Sequence, residues 1–383
     1  MHGTCCAAVA AGRPSCGAWC SRCRCWGCCG SASPRTSSAT APTTDDGRNT
    51  SVATAVSVDI RNELLRLAKP FRISGHVFRD SPVTVVTLRH GPHQGRGEGA
   101  GVYYLRDEPA DMLATLESHR EAIESGLSRD ELRSLLPPGG ARNALDCALW
   151  ELQASRAGVP VWKLAGLESA RPLLTTYTLG ADEPQVMGAG AVAYTHARAI
   201  KMKLTGEVDI DIERVRAVRA ARPDVWLGVD ANQGYVADTL QRLVPVLVDE
   251  DVSLLEQPCA RGDEACLDGL DCSVAIAADE SVQGLDEIEP LLGRFDVVNI
   301  KLDKCGGLTE GLLMAERARA LGLQVMVGNM IGTSWAMGAG FVLGQHCDIV
   351  DLDGALFLAQ DRSPGVIYAD GQVDCPGNVW GGC

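Results

Sequence analysis

The sequence predicts an α/β protein: eight parallel strands and their crossover helices closed into a barrel, with a smaller α+β unit ahead of it. Three observations carry this. Short apolar runs end in a polar residue at a nearly constant interval, with Lys203, Asp230, Glu256, Asp279, Lys301, Gly328 and Asp351 spaced 27, 26, 23, 22, 27 and 23 residues apart. That interval fits one buried strand plus one helix, and such units build a parallel sheet with right-handed crossovers. The runs, such as Val225-Trp226-Leu227-Gly228-Val229 and Val274-Ala275-Ile276-Ala277-Ala278, are apolar throughout rather than alternating, as expected of strands buried on both faces. Adding Leu173 to Thr178 brings the strands to eight, enough for closure.

In chain order, residues 1–51 are rich in Cys, Ala, Gly, Ser and Thr, nearly free of large aliphatics, and expected to form a disordered tail. The pairs Cys20-x2-Cys23 and Cys25-x2-Cys28 are almost fused, whereas a structural zinc site separates its pairs by about a dozen residues or more. The α+β unit is expected over 52–168. Thr54–Ile60 and Ser81–Arg89 read as strands, and Gly97-Glu98-Gly99 as a turn. Helices follow at about 108–125, 128–135 and 141–158, the last with Leu145, Ala148, Leu149 and Leu152 on one face and Gly158 as its C-cap. The barrel spans 169–354. The segment 355–383 is too short for a domain and is expected to pack back on the first unit.

The net charge is −14, and residues 1–50 contribute +3, so the remainder carries −17 and argues against nucleic acid as a partner. No apolar run reaches the roughly 18 residues of a membrane span. Of the 16 cysteines, eight lie in the first 29 residues and eight are scattered. The scattered ones read as buried thiols in a reducing, cytoplasmic compartment. The sequence is compatible with a homo-oligomer and does not specify one.

Active sites of such barrels lie at the C-terminal ends of the strands, where the charged residues fall. Asp230, Glu256 and Asp279 end consecutive strands. Three converging carboxylates repel one another unless a cation sits between them, and oxygen-only ligands suit one Mg²⁺ per subunit. Asn232 can add an amide behind them. Lys203 and Lys301 end the second and sixth strands, across the ring from each other. Two such lysines can work on opposite faces of one carbon, with a metal-bound carboxylate stabilising the enolate between proton transfers. Lys201, beside Lys203, is expected to lower its pKa by like-charge repulsion. Asp351 and Asp353 end the eighth strand and suit a cationic substrate group such as an α-ammonium. Thr178, Asn329 and Met330 end the first and seventh strands and are expected among the substrate contacts.

Together, Lys201-Met-Lys203, Val229-Asp230-Ala-Asn232, Leu255-Glu256-Gln257-Pro258, Ala278-Asp279-Glu280-Ser281, Asn299-Ile-Lys301-Leu-Asp-Lys304-Cys-Gly306-Gly307 and Asp351-Leu-Asp353-Gly354 resemble the enolase superfamily. So does Ala141–Trp150 in the first unit. The likeness covers about 53–365 and is strongest to the dipeptide epimerases of the muconate lactonizing enzyme subgroup. The resemblance implies an N-terminal α+β capping domain over a (β/α)7β modified TIM barrel. It implies Mg²⁺ on the carboxylates, a two-lysine 1,1-proton transfer at the C-terminal α-carbon of a dipeptide, and the ammonium on Asp351 and Asp353. L-Ala-D/L-Glu from murein peptide turnover is the best known substrate. A cycloisomerase, an o-succinylbenzoate synthase or an N-acylamino acid racemase could use the same metal and lysines. One departure concerns specificity. L-Ala-D/L-Glu epimerases carry an Arg for the Glu side chain in a capping loop, here Ile73–Asp80. An ungapped match puts Gly75 or Phe78 at that place, with Arg79 one position off. Asn329 stands where close relatives often have Cys or a small residue.

Overall fold

The computed structural model describes residues 56–73 and 76–382. The expectations for the Cys-rich segment 1–51, for the strand start at Thr54 and for Gly75 lie outside these residues. The described chain opens with an antiparallel sheet of β1 (Ser57–Ile73), β2 (His76–His90) and β3 (His93–Gly99) in that order. Helices α1 (Pro109–Ser118), α2 (Arg120–Glu124), α3 (Arg129–Leu135), α4 (Gly140–Ala157) and α5 (Val161–Leu164) follow. The helix expected over 108–125 is thus two, broken at His119, whose ψ of 11° leaves the helical range. Ser128 caps α3 with a full capping box to Glu131. Gly158 ends α4 in the left-handed conformation, at φ 63°.

Gly97-Glu98-Gly99 is strand, not turn. A Cβ on Gly97 would lie 1.9 Å from the Ala144 carbonyl oxygen, and one on Gly95 or Gly99 would lie 2.1 Å from that of Ala148 or 2.3 Å from that of Gly140. The glycines let α4 lie flush on β3, and close approach rather than turning is what requires them. Leu116, Leu132, Leu145, Ala148 and Leu152 fill the layer between these helices and the sheet with Val86 and Leu88.

The barrel follows as β4 (Leu173–Leu174), β5 (Tyr177–Leu179), α6 (Pro184–Ala193), β6 (Ala199–Lys203), α7 (Val208–Ala221), β7 (Trp226–Asp230), α8 (Ala237–Asp249), β8 (Leu254–Glu256) and β9 (Ala275–Ala278). It continues through β10 (Val297–Lys301), α9 (Leu302–Cys305), α10 (Leu308–Ala320), β11 (Gln324–Gly328), α11 (Ser334–Gly344) and β12 (Ile349–Val350). Strands β5 to β12 form one parallel eight-stranded sheet in sequential order. The Thr176 N–H donates to Val350 O at 3.0 Å and joins its two edges. The run read as one strand, Leu173–Thr178, is two. Leu173–Leu174 pairs instead with β14 (Gln372–Asp374), which pairs with β13 (Ile367–Ala369), and only Tyr177–Leu179 enters the barrel. Thr175 explains the split: its backbone N–H bonds Gly371 O, outside the barrel, while its hydroxyl accepts from Leu352 N.

Alternate residues of each strand point inward. Trp226, Leu254, Ala275, Ala277, Val297, Met326 and Ile349 pack together there as an apolar plug. Further along the same faces the inward positions become polar, ending in Lys203 on β6, Asp230 on β7, Glu256 on β8 and Lys301 on β10. The barrel therefore has a packed floor and a polar rim. At the far end of the chain, Trp380 Nε1 donates to Arg96 O at 2.7 Å and the Gly381 N–H to Glu151 at 2.9 Å.

The scattered cysteines are not all thiols. Cys259 and Cys266, in the loop after β8, are joined as a disulfide, their side chains converging where the chain doubles back. Cys147 and Cys305 are free and buried.

Candidate active site

The rim begins with strand register. Lys203 lies opposite Asp230, and Asp230 opposite Glu256, so three inward side chains stand side by side. Asp279 follows β9 by one residue, and Lys301 ends β10 opposite Gly328. Asp230, Glu256 and Asp279 are fully buried, with one oxygen from each within 4.8 Å of the others. Uncompensated, that proximity would be strongly unfavourable.

Four buried lysines compensate it. Lys203 Nζ donates to Asp230 at 2.5 Å, and Lys301 Nζ to Asp279 at 2.6 Å. Lys304 Nζ reaches the other oxygen of Asp279 at 2.6 Å and the Asn299 carbonyl at 3.1 Å. Lys201 Nζ pairs with Asp351 and with Glu256 at 3.1 Å, and lies 3.8 Å from Asp230. Lys201 thus sits among three carboxylates. Burial disfavours its charge, but Asp351, Glu256 and Asp230 outweigh burial and raise its pKa.

The same competition sets the other groups. Burial favours the neutral acid at Asp279, but the Lys301 and Lys304 ammoniums hold its carboxyl well below the usual range. Burial also opposes the charge on Lys301, and Asp279, Glu256 and Asp230 lift it well above its ordinary value. Where burial wins, Glu256 is pushed up to about 7 with help from Asp230, and Glu280 to about 8 with help from Asp279.

The donor set fits a divalent cation. Asp230, Glu256, Asp279, Glu280, Asp351 and Asp353 are all buried with Lys201, Lys203, Lys301 and Lys304. With all six carboxyls ionised against four ammoniums, two negative charges are in excess, and burial together with this excess pushes Glu256 and Glu280 toward their neutral forms. Two buried oxygens beside the triad, Glu280 Oε2 and Asn232 Oδ1, have no hydrogen-bond partner. All-oxygen donors with unspent lone pairs suit a hard cation and its water.

The remaining expected residues divide. Lys203, Asn232, Asp279, Lys301, Asn329 and Met330 line one cavity, which the first sheet and the Tyr103–Tyr104 turn wall from the other side. Asn232 touches Asp230 through its backbone N–H at 3.0 Å rather than through its amide. Asn329 donates its amide to the Asp351 carbonyl. Asp351, Asp353, Lys201 and Thr178 lie outside that lining. Asp351 accepts from Thr176 Oγ1 at 2.5 Å as well as from Lys201, so both of its oxygens are engaged. Asp353 accepts the Thr178 N–H at 2.6 Å, and burial with the Asp351 charge raises it to about 7.

Several side chains to which the sequence assigns no role in the chemistry also join the site. Asn299 donates to Glu256 Oε1 at 2.8 Å from the inward face two residues before Lys301, a position strand alternation could have flagged. Lys304 reaches Asp279 only because a one-turn helix, α9, follows β10 directly. Gln257, at φ 37°, accepts from the Asp279 and Ser281 N–H groups at 2.9 and 3.0 Å and ties the ends of β8 and β9 together. Tyr103 and Phe78 enter from the first region, and no sequence spacing relates them to the barrel.

Comparison with known proteins agrees with this geometry. Residues 55–166 match the mandelate racemase/muconate lactonizing enzyme N-terminal domain, and residues 187–377 match the enolase C-terminal domain-like family. The chain is 36% identical over 317 residues to the L-Ala-D/L-Glu epimerase of Escherichia coli K12, covering 83% of this chain and 99% of that one. An enolase family member from Agrobacterium tumefaciens, with homology to dipeptide epimerases and solved with sodium and L-Ala-L-Glu, superposes with a TM-score of 0.81 at 35% identity. That match covers 85% of this chain and all of the other. The dipeptide epimerase of Methylococcus capsulatus, solved with Mg and L-Arg-D-Lys, gives 0.79 at 28% identity, covering 84% of this chain and 97% of that one. Matched in both of its halves, the chain belongs to the mandelate racemase/muconate lactonizing enzyme family of the enolase superfamily, and it is an isomerase.

Proposed function

We propose that the protein is a Mg²⁺-dependent dipeptide epimerase that inverts the α-carbon of the C-terminal residue by passing protons between Lys203 and Lys301. One observation carries the reading. The two lysines end strands four places apart in an eight-stranded ring, and both line the same cavity beside the carboxylate triad. An α-carbon between them meets an amine on each face, and inversion requires removal on one face and delivery on the other.

Asp230, Glu256 and Asp279 are the residues that would hold Mg²⁺. Once bound, the ion would polarise the substrate carboxylate, lower the cost of removing the α-proton, and assume the charge balance now supplied by Lys203 and Lys301. Lys304 keeps Asp279 oriented when Lys301 turns to substrate, and Asn299 does the same for Glu256. Lys201, fixed under the rim by Asp351 and Glu256, prevents the carboxylates from splaying. Asp353, whose hydrogen bonding is lighter than that of Asp351, would be the acid to receive a substrate ammonium, once the substrate reaches past the present cavity lining. A carboxylate for the ammonium favours a dipeptide over an N-acylated amino acid, which lacks that group, and similar proteins of both kinds exist.

The test is deuterium uptake at the C-terminal α-carbon of a dipeptide panel in D2O with Mg²⁺, read by mass spectrometry. Uptake in dipeptides and none in N-acetylated amino acids is expected; the reverse overturns the reading. Lys203→Ala and Lys301→Ala should each abolish exchange from a different epimer, and equal partial loss from both would exclude the two-face mechanism.

A further inference from the structure

The cavity above the two lysines has one wall that the barrel does not provide, and its composition is unlike the rim. Phe71 and Ile73 reach it from β1, Phe78 from β2, Tyr103 from the turn after β3, and Met330 faces them from the barrel side. Phe78 and Tyr103 meet edge to face with ring centroids 5.5 Å apart. The wall is largely apolar and aromatic, with two phenols, Tyr103 and Tyr104, and with Asp80, Asp107 and Glu108 at its margin.

Strand pleat decides what else enters. Side chains alternate across a strand, so Phe71 and Ile73 face the cavity while Arg72, between them, lines a separate groove with Leu179 and Val77. On β2, Phe78 and Asp80 face the cavity and Arg79, between them, is exposed and does not line it. His76 packs at a tilt against Phe78, with ring centroids 4.2 Å apart, and stacks on Tyr103 at 5.4 Å without lining the cavity. Among the described residues, the cavity's cations are therefore Lys203 and Lys301, and both are committed to the rim carboxylates.

Its acids are mostly engaged as well. Asp80 pairs with Arg66 at 3.0 Å, and Asp107 accepts the Gly140 N–H at 2.6 Å, at the start of α4. A substrate carboxylate pressed against this wall would lose water, gain no cation and face Asp80, Asp107 and Glu108. Desolvating an unpaired charge is far more costly than burying an apolar group of the same size, which is favourable.

We propose that this wall is the side-chain pocket for the C-terminal residue, that it selects a large apolar residue, aromatic ones first, over glutamate, and that Phe78 is the residue that sets the preference. The proposal rests on the dipeptide-epimerase reading for the orientation of the substrate.

The experiment compares kcat/KM for α-proton exchange with L-Ala-L-Phe, L-Ala-L-Leu, L-Ala-L-Lys and L-Ala-L-Glu, with Mg²⁺ present. L-Ala-L-Phe should exceed L-Ala-L-Glu by at least about tenfold, the scale on which an apolar pocket discriminates. Phe78→Arg should raise kcat/KM for L-Ala-L-Glu and lower that for L-Ala-L-Phe. Equal or faster exchange with L-Ala-L-Glu in the unmodified protein overturns the proposal and leaves the epimerase reading standing. Fastest exchange with L-Ala-L-Lys overturns it in favour of the acids. If no dipeptide exchanges, the epimerase reading falls. The order of affinities of the same four peptides for Lys301→Ala, measured by calorimetry with Mg²⁺, then still upholds or refutes the pocket's preference.

Discussion

The rim of the barrel and the wall above it touch the same cavity and are built on opposite terms. On the rim every ammonium is matched to a carboxylate within about a hydrogen bond's length, and Lys203, Asp230, Glu256 and Lys301 each stand at the end of a strand whose register is fixed. On the wall, aromatic faces meet one another and the arginines of β1 and β2 that alternate with them, Arg72 and Arg79, turn away. The rim can carry out proton transfer but has little latitude in its residues, since removing one member of a buried ion cluster strands the others. The wall has latitude, because one apolar side chain can replace another at modest cost. Reaction type and substrate preference are thus separable in this molecule.

That contrast can be broken in order of effect. Lys301→Ala should reduce α-proton exchange from one epimer by about 10²–10⁴-fold, as loss of a general acid or base does, with folding intact by circular dichroism. Lys304→Met should reduce stability by about 3–5 kcal/mol in denaturant unfolding, because it leaves Asp279 with one ammonium in place of two. It should also weaken Mg²⁺ binding by calorimetry; unchanged Mg²⁺ affinity would remove Lys304 from the site. Gly97→Ala tests the support of the wall rather than its surface. Its Cβ would press on the Ala144 carbonyl, and a loss of about 1–3 kcal/mol is expected with the rim chemistry unaltered. At the small end, Arg317→Ala breaks an exposed pair with Glu289 and should move the unfolding midpoint by about 1 °C or less.

The rim was legible in the sequence because a buried parallel strand leaves a repeating mark: an apolar run, then the residue that reaches the mouth. Lys203, Asp230, Glu256, Asp279 and Lys301 follow from spacing alone. Their partners were harder. Asn299 obeys strand alternation and could have been read, whereas Lys304 depends on a single helical turn placed directly after β10. The partners of Lys201 were not legible, because spacing shows that two lysines are neighbours, not that Asp351 has come across the barrel seam to meet one of them. Leu173–Thr178 looked like one strand because its composition is uniform, yet the Thr175 backbone pairs with the C-terminal segment, far off in sequence. Gly97-Glu98-Gly99 looked like a turn because glycine permits both a bend and a close approach, and only the presence of α4 against it distinguishes the two. The wall was the least legible part. Its residues come from two strands and a turn, and what matters is which side of a pleat each one takes.

The matched lysines of the rim also bear on how the enzyme comes into service. Since Asp230 and Asp279 already have resident counterions, assembly of the chain and arrival of the ion are independent events. The protein should fold to the same thermal stability in a chelating buffer as in a neutral one, and gain activity on titration with Mg²⁺ without a detectable change in its far-ultraviolet spectrum. A cell short of the ion would then accumulate a dormant, intact enzyme rather than an aggregate, and could recruit it without new synthesis.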